Sequence, residues 1–351
     1  MFLKREIGRK VLVVIKKLSV MLDGKKILIT GGTGSLGSAL TKRLLSLDVE
    51  QIRIFSRNEH KQVSMESELN DDRLRFLIGD IRDEKRLIRA TEEVDIVFHA
   101  AALKHVPKVE YNPFEAVKTN VQGSQNVIEA CLANDVERAI CIGTDKAVSP
   151  LNTYGATKLL MEKLFVNAQQ YSNPKIHPTK FFAVRYGNVF ASSGSVIPRF
   201  IEQIKKQEEI TITDKNMTRF SITMDQALDF ILKATEIGKG TEIFIPKLKS
   251  YSLEQIYNVL SQLAQTKNEK IIGIRPGEKL HELLINFDEM RYSWEFENLY
   301  MILNWQFDDE YLSRNYPGIK KFDNIETYSS NNSETLTDDE LKNNIRNLGL
   351  L

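Results

Sequence analysis

The chain has 351 residues, with 48 Lys+Arg set against 47 Asp+Glu for a formal net charge of +1. That length accommodates one large α/β domain or two that share a cleft, and so even a charge balance lacks the broad basic footprint of a nucleic-acid binder. The two cysteines, Cys131 and Cys141, make no CxxC pair, and the five histidines keep no metal-ligand spacing, so a reducing, cytoplasmic setting with no bound metal is expected.

Residues 1–20 contain the apolar run Val11-Leu12-Val13-Val14-Ile15, flanked by Lys and Arg. The run is too short to span a bilayer and lacks a small-residue cleavage site. A basic amphipathic helix touching a membrane or partner fits this pattern. An extension outside the fold, with Met21 as the functional start, fits better, because the first strand begins only at Lys25.

From Lys25 strands and helices alternate. Lys26–Thr30 reads as a buried strand, Ser35–Leu47 as a helix, and Gln51–Phe55 and Arg75–Gly79 as the second and third strands. Asp95–His99, Arg138–Ile142 and Phe181–Arg185 follow as strands, with helices at Pro113–Ala133 and Tyr154–Tyr171. Such alternation means right-handed crossovers and a Rossmann-like, doubly wound parallel sheet. Beyond about Asn188 the pattern loosens, with short strands at Glu209–Thr213 and Ile271–Ile274 among helices. The expected division is a dinucleotide-binding domain over 21–190 and a smaller substrate-binding domain over 191–351, with elements interleaved. In the tail, Ser329–Ser333 reads as a loop and Thr337–Asn347 as a short capped helix.

Thr30-Gly31-Gly32-Thr33-Gly34-Ser35-Leu36-Gly37 directly follows the first strand and opens a helix. Glycines at 31, 34 and 37 permit a tight turn, close approach of a pyrophosphate and tight helix–strand packing. The helix N-terminus offers free N–H groups and a positive dipole to phosphate. Gly31, Thr33, Gly34, Ser35, Leu36 and Gly37 are therefore candidate cofactor residues, and the G-x-x-G-x-x-G spacing points to the short-chain dehydrogenase/reductase branch.

The end of the second strand separates NAD from NADP. An acid there would bind the ribose 2′-hydroxyl. Ser56-Arg57-Asn58 stands there instead, with Lys61 one turn on, and Arg57 and Lys61 suit a 2′-phosphate. Asp80 with the Ile81 backbone can hold adenine, and Ala100 and Ala101 are small where a cofactor would pass. Lys104 can reach ribose hydroxyls or a substrate phosphate, and Asn120 can bond backbone at a helix irregularity and steady the site.

Tyr154 and Lys158 stand at i and i+4, one above the other on a helix face. A lysine ammonium there can lower the phenol's pKa, so that the phenol accepts a proton from a sugar hydroxyl while hydride leaves to a nicotinamide. Thr144 supplies a nearby hydroxyl. Asp145-Lys146 is the rarer feature. Oxidising C4 of a hexose to a ketone acidifies the C5 proton; a neutral lysine, its pKa lowered by burial and nearby cations, removes it. A protonated Asp145 gives its proton to the departing C6 hydroxyl, and hydride returned to C6 closes the redox cycle. A structural salt bridge is the plain alternative. Downstream, Asn188, Val196 and Pro198 (in Gly194–Arg199), Arg219, Arg275 and Glu278 suit a nucleotide-sugar clamp.

Taken together, Thr30–Gly37, Thr144-Asp145-Lys146-Ala147, Tyr154–Lys158, Met217-Thr218-Arg219-Phe220 and Arg275-Pro276-Gly277-Glu278-Lys279-Leu280-His281-Glu282 resemble the inverting UDP-N-acetylglucosamine 4,6-dehydratase family. This is a family of extended short-chain dehydrogenase/reductases of bacterial and archaeal surface-sugar synthesis. The similarity runs over about Leu22–Leu284. It implies a hydro-lyase with tightly bound, recycled NADP, a UDP-sugar substrate, no integral membrane segment, and a homo-oligomer, dimer or hexamer. By the resemblance Lys146 matches the C5 base, Asp145 the dehydration acid, and Tyr154 with Lys158 the redox pair. Lys104, Asn188, Arg219, Arg275 and Glu278 match positions that contact cofactor or substrate. Gly143 departs from the family's common serine. A UDP-sugar 4-epimerase would share the Tyr/Lys pair without needing Asp145-Lys146, and the intact pairs argue against a non-catalytic NADP-binding regulator.

Overall fold

β1 (Lys26–Thr30) is the strand on which the first half of the chain is organised. Four of its five residues are buried, as a parallel strand covered on both faces requires. In the computed structural model, residues 21–173, 175–192, 195–265, 268–322 and 326–347 are described; the extension 1–20 and Gly194 lie outside them. The described residues divide into two compact units. One holds the residues up to Ile142, Leu160–Val184 and Leu228–Ile243. The other holds Gly143–Leu159, Arg185–Ala227 and the residues from Phe244 onward.

In the first unit β2 (Gln51–Ser56) and β3 (Leu74–Ile78) lie to one side of β1, and β4 (Ile96–His99), β5 (Arg138–Ile142) and β6 (Lys180–Val184) to the other. Every pairing among these six strands is parallel. The order β3-β2-β1-β4-β5-β6 is the doubly wound Rossmann-like arrangement. It places a topological switch point between the carboxyl ends of β1 and β4, where ligands bind in such sheets. Thr30 and His99 end those two strands in register. α1 (Ser35–Leu45) follows β1, and α2 (Glu59–Leu69) follows β2. Asn58 caps α2 by accepting from the Lys61 N–H at 2.9 Å.

The helix expected over Pro113–Ala133 is interrupted. Its middle, Val117–Gln122, is a π-helical stretch, a single-turn widening that in general marks functional positions. It contains Asn120, which is fully buried.

The second unit builds its core where helix meets short sheet. β7 (Asn188–Val189) pairs in parallel with β8 (Thr218–Ile222), which pairs antiparallel with β9 (Lys249–Ser252). Phe200, Ile201, Met217, Tyr251, Ile256 and Leu341 are among its buried core residues. Thr337 accepts from the Glu340 N–H while Glu340 accepts from the Thr337 N–H, a reciprocal cap that starts the last helix, Asp338–Asn347. Two expectations shift. The strand placed at Ile271–Ile274 runs over Glu269–Ile271 instead, because Gly273 takes φ +81 and turns the chain out of extended geometry. The loop placed at Ser329–Ser333 begins as a strand, Tyr328–Ser329, paired with Leu283–Ile285.

One buried ion pair is central to the second unit. Arg185 is completely buried and donates to Glu289 through both Nη atoms, at 2.9 and 2.8 Å, and to the Leu284 carbonyl at 2.8 Å. Removing one partner of such a pair leaves an uncompensated charge. Arg185→Ala is expected to cost about 3–5 kcal/mol, read as a lower urea midpoint; a midpoint within experimental error of wild type would refute this.

Candidate active site

In the first unit the glycine loop is a cradle that side chains would fill. A Cβ on Gly31, which takes φ +69, would lie 2.8 Å from the Ala101 Cα. A Cβ on Gly37 would lie 2.6–2.7 Å from Gly31 and Gly32 backbone atoms. Gly34 is the N-cap of α1, so no side chain caps the first N–H groups of the helix, and those donors remain for an anion. The loop therefore fits the pyrophosphate of a dinucleotide.

Below that loop runs a buried hydrogen-bond chain that sequence reasoning did not find. Ser124 Oγ donates to the Asn120 carbonyl at 2.5 Å, so it accepts from His99 Nε2 at 2.9 Å. His99 Nδ1 lies 2.7 Å from Thr30 Oγ1, and Thr30 Oγ1 accepts from the Ala101 N–H at 3.3 Å. Each hydroxyl has one proton to give, so the Ser124 end of the chain places a proton on His99 Nε2. Asn120 completes the frame by accepting from the Leu103 N–H at 2.7 Å and donating to the Leu103 carbonyl at 3.0 Å. Its amide thus pins the segment that carries Ala100, Ala101 and Lys104.

Ser56 ends β2, and Arg57 follows it, half exposed and 3.7 Å from Asp80. Asp80 already has partners within the chain. Its carboxylate is held by Arg82 at 2.6 and 3.0 Å as well as by Arg57, and these cations keep its pKa low despite partial burial. It is engaged by guanidinium groups before any adenine arrives. Lys104 and His105 are exposed, and His105 serves as the N-cap residue of Val106–Tyr111.

In the second unit the Thr144–Lys146 segment forms a short 3₁₀ turn (Asp145–Ala147), with Thr144 as its cap. Lys146 Nζ lies 3.0 Å from Asp145 Oδ1, 3.1 Å from Asn188 Oδ1 and 3.5 Å from Glu282 Oε1. An ammonium has three N–H bonds and no acceptor, and three oxygens meet it here. The neutral lysine expected from sequence is thereby corrected. Burial alone would depress its pKa, but Asp145 and Glu282 outweigh burial and hold it above the ordinary lysine value. Asp145 is fully buried, and burial foremost, then the Glu282 charge, raise its carboxyl above the ordinary range despite Lys146. Thr144 donates to Asp145 at 2.8 Å.

Tyr154 and Lys158 stand one turn apart near the start of the helix Thr153–Tyr171, both buried. The depressed phenol expected there is also corrected. Desolvation pushes Tyr154 up to about 12, while Lys146 and a hydrogen bond with Thr144 work against that rise. Asn152 accepts from the Gly155 N–H at 2.8 Å and donates to the Gly277 carbonyl at 2.9 Å. It ties the turn carrying Arg275 and Glu278 to the start of the Tyr154 helix. Arg275 and Glu278 face each other at 3.7 Å. Arg219 is more enclosed than expected, donating to the Thr218 and Leu280 carbonyls, with Nε 3.7 Å from Glu282 Oε1. Val196 and Pro198 lie in the first turn of the helix Val196–Lys205.

Glu282 is the residue that sequence reasoning left without a role, although it ends the Arg275–Glu282 motif. It is buried, and Asp145 Oδ2 and Glu282 Oε2 have no hydrogen-bond partner. Among the described residues no cluster of His, Cys, Asp and Glu can hold a metal ion, and no helix is long and apolar enough to cross a membrane.

A family model described as "Polysaccharide biosynthesis protein" matches residues 27–304. The inverting UDP-N-acetylglucosamine 4,6-dehydratase of Campylobacter jejuni is 50% identical over 80% of this chain and 84% of its own length. The chain belongs to this family. A Rickettsia bellii protein named UDP-glucose 4-epimerase is 42% identical over 93% of this chain and 97% of its own. The X-ray structure of Pen from Bacillus thuringiensis matches with a TM-score of 0.85 at 39% identity, covering 94% of this chain and 99% of that one.

Gly155 gives a direct test of the site's local packing. A Cβ there would overlap the Lys146 carbonyl oxygen and stand 2.9 Å from the Pro150 side chain. Gly155→Ala is expected to destabilise by about 1–3 kcal/mol through overpacking, despite alanine's better helix propensity. Thermal unfolding checks this, and a gain in Tm would refute it.

Proposed function

We propose that the chain is an NADP-dependent hydro-lyase, an inverting 4,6-dehydratase acting on UDP-N-acetylglucosamine. The observation that carries this reading is the 3.0 Å contact between the partly exposed Lys146 ammonium and the buried Asp145 carboxylate, beside Tyr154. An acid and a base in direct contact are what an elimination needs and an epimerisation does not.

The dinucleotide, when bound, supplies the hydride acceptor for C4 and the hydride returned to C6. Every other step is proton movement by side chains. Tyr154 Oη takes the C4 hydroxyl proton; Lys146 and Lys158 supply the positive charge that favours its phenolate. Lys146 Nζ hands one proton to Asp145 Oδ1 across their contact. That single transfer leaves an amine to take the C5 proton and a carboxylic acid to protonate the C6 hydroxyl, which departs as water. Both partners then return to their resting charges. Tyr154 gives up the proton it took from the C4 hydroxyl, and one solvent-exchangeable proton enters C5 from the opposite face, giving the UDP-2-acetamido-2,6-dideoxy-β-L-arabino-hexos-4-ulose product. The raised Asp145 carboxyl and the resting Lys146 ammonium both suit this internal transfer.

For the cofactor, Gly31–Gly37 would hold the pyrophosphate, Ser56, Arg57 and Lys61 the 2′-phosphate, and Asp80 and Ile81 the adenine. Asn120 holds the segment bearing Ala100 and Ala101. For the substrate, Lys104, Asn188, Arg219, Arg275 and Glu278 would contact nucleotide or sugar, with Val196 and Pro198 presenting backbone to the base. Residues 191–351 read as the main source of nucleotide-sugar contacts, and the protein as a homo-oligomer working in the cytoplasm.

The second reading, a UDP-sugar 4-epimerase, is favoured by the name and near-full coverage of the Rickettsia bellii relative. One incubation separates the two. With UDP-N-acetylglucosamine in D₂O, NMR is expected to show a 4-keto-6-deoxy sugar carrying deuterium at C5. Conversion to the galacto epimer with no deoxy product would reject the dehydratase reading. For the cofactor, Arg57→Ala is expected to lower NADP affinity relative to NAD by about tenfold or more, the size of one lost charge-assisted hydrogen bond. An unchanged ratio of the two dissociation constants would remove Arg57 from the 2′-phosphate site.

A further inference from the structure

Glu282 has a geometry that an incidental salt bridge does not explain. Its carboxylate is buried, its Oε1 is shared by Lys146 Nζ at 3.5 Å and Arg219 Nε at 3.7 Å, and its Oε2 has no partner. Its backbone N–H donates to Ser330 Oγ at 2.9 Å, and Ser330 Oγ lies 2.6 Å from Thr218 Oγ1, so the chain position is pinned as well. Asp145, the other carboxylate at Lys146, lacks a second cation at contact distance among the described ion pairs. The two carboxylates thus stand in different surroundings around one amine, and different surroundings divide acid from base roles.

We propose that Glu282 is a positioning residue for the Lys146–Asp145 pair: its carboxylate, anchored by Arg219, holds the Lys146 amine in place and keeps one transferable proton on the pair. This rests on the dehydratase reading for its catalytic meaning. Because the pair shares its proton, its titration belongs to both residues together, and a fixed anion beside it makes that proton harder to lose. The charged and titratable groups around the pair are Glu282, Arg219, Lys279, Tyr154 and Tyr251. Glu282 is pulled below the ordinary carboxylate range by Lys146, Arg219 and Lys279 in spite of burial, so it stays ionised. Lys279 is itself tied to the Val148 carbonyl.

The experiment compares wild type, Glu282→Gln and Glu282→Asp as purified with cofactor. The amide removes the anion and keeps the shape, so the pair should release its proton at lower pH. The pH profile of elimination is expected to move to lower pH by about one unit, roughly a tenfold loss at a fixed pH beyond its alkaline limb. Reduction of the nicotinamide on adding substrate should persist, and Glu282→Asp, which keeps the charge, should hold the wild-type profile at a lower rate. Independently of activity, the Asp145 carboxyl signal in isotopically labelled protein, assigned by its loss in Asp145→Asn, should titrate lower in Glu282→Gln. An unmoved profile and unmoved carboxyl titration overturn the proposal, as does an equal fall of reduction and elimination with the profile unchanged. If Glu282→Gln does not fold, a displaced profile in Glu282→Asp overturns it instead. A wild type that makes no deoxy product sinks the dehydratase reading, while the carboxyl titration still decides the electrostatic role of Glu282.

Discussion

A lysine ammonium drawn partly out of water needs acceptors in place of the water it gives up, since an unpaired charge away from solvent is costly. Lys146 meets that constraint with Asp145, Asn188 and Glu282, drawn from three separate stretches of the second unit. The elements around it can be understood as what brings those stretches together. β7 delivers Asn188, and its neighbour β8 delivers Arg219 to anchor Glu282. Glu282 immediately precedes Leu283–Ile285, a strand paired with Tyr328–Ser329. Gly155, with no side chain, lets the Lys146 backbone approach the helix that carries Tyr154. Moving any one of these changes the field at the amine, so packing and protonation are linked here.

The first unit solves a different problem with the same economy. A dinucleotide loop needs backbone bare of side chains, and bare backbone is conformationally loose. The hydrogen-bond chain from Ala101 through Thr30, His99 and Ser124 to Asn120 compensates for that looseness from below. The π-helical turn is part of this device. It alters the helical register where Asn120 reaches both polar atoms of Leu103. An uninterrupted α-helix would present its side chains there in a different phase.

Much of this was legible in the sequence because its signals were local. The glycine spacing, the strand–helix alternation and the Tyr154/Lys158 step each fall within a few residues, and the parallel sheet is as expected. What escaped depended on distance through space. His99 read as one histidine among five, since its partners Thr30 and Ser124 are 69 and 25 residues away. Glu282 lies 136 residues from Lys146, and no spacing rule connects them. The upward shifts of Lys146 and Tyr154 escaped for the same reason. Burial was foreseeable, but which charge would win against it depended on Asp145 and Glu282 together for the lysine, and on Lys146 falling short for the phenol.

The cluster's charges also bear on how a buried pair can act repeatedly. At rest the cations Lys146, Arg219 and Lys279 face the two carboxylates Asp145 and Glu282. Moving a proton from Lys146 to Asp145 leaves that sum unchanged, so it needs no ion from solvent and no large rearrangement of the surroundings. The proposed reaction would thereby produce a base and an acid without a net charge change, beside a buried carboxylate where charge changes are expensive. In the proposed exchange Glu282 keeps its charge, held by Arg219 and pinned through its backbone to Ser330. Under that proposal a residue that keeps its charge while its neighbours trade a proton is the stationary reference for both, and this asymmetry is what would separate the Asp-Lys pair from an ordinary structural salt bridge.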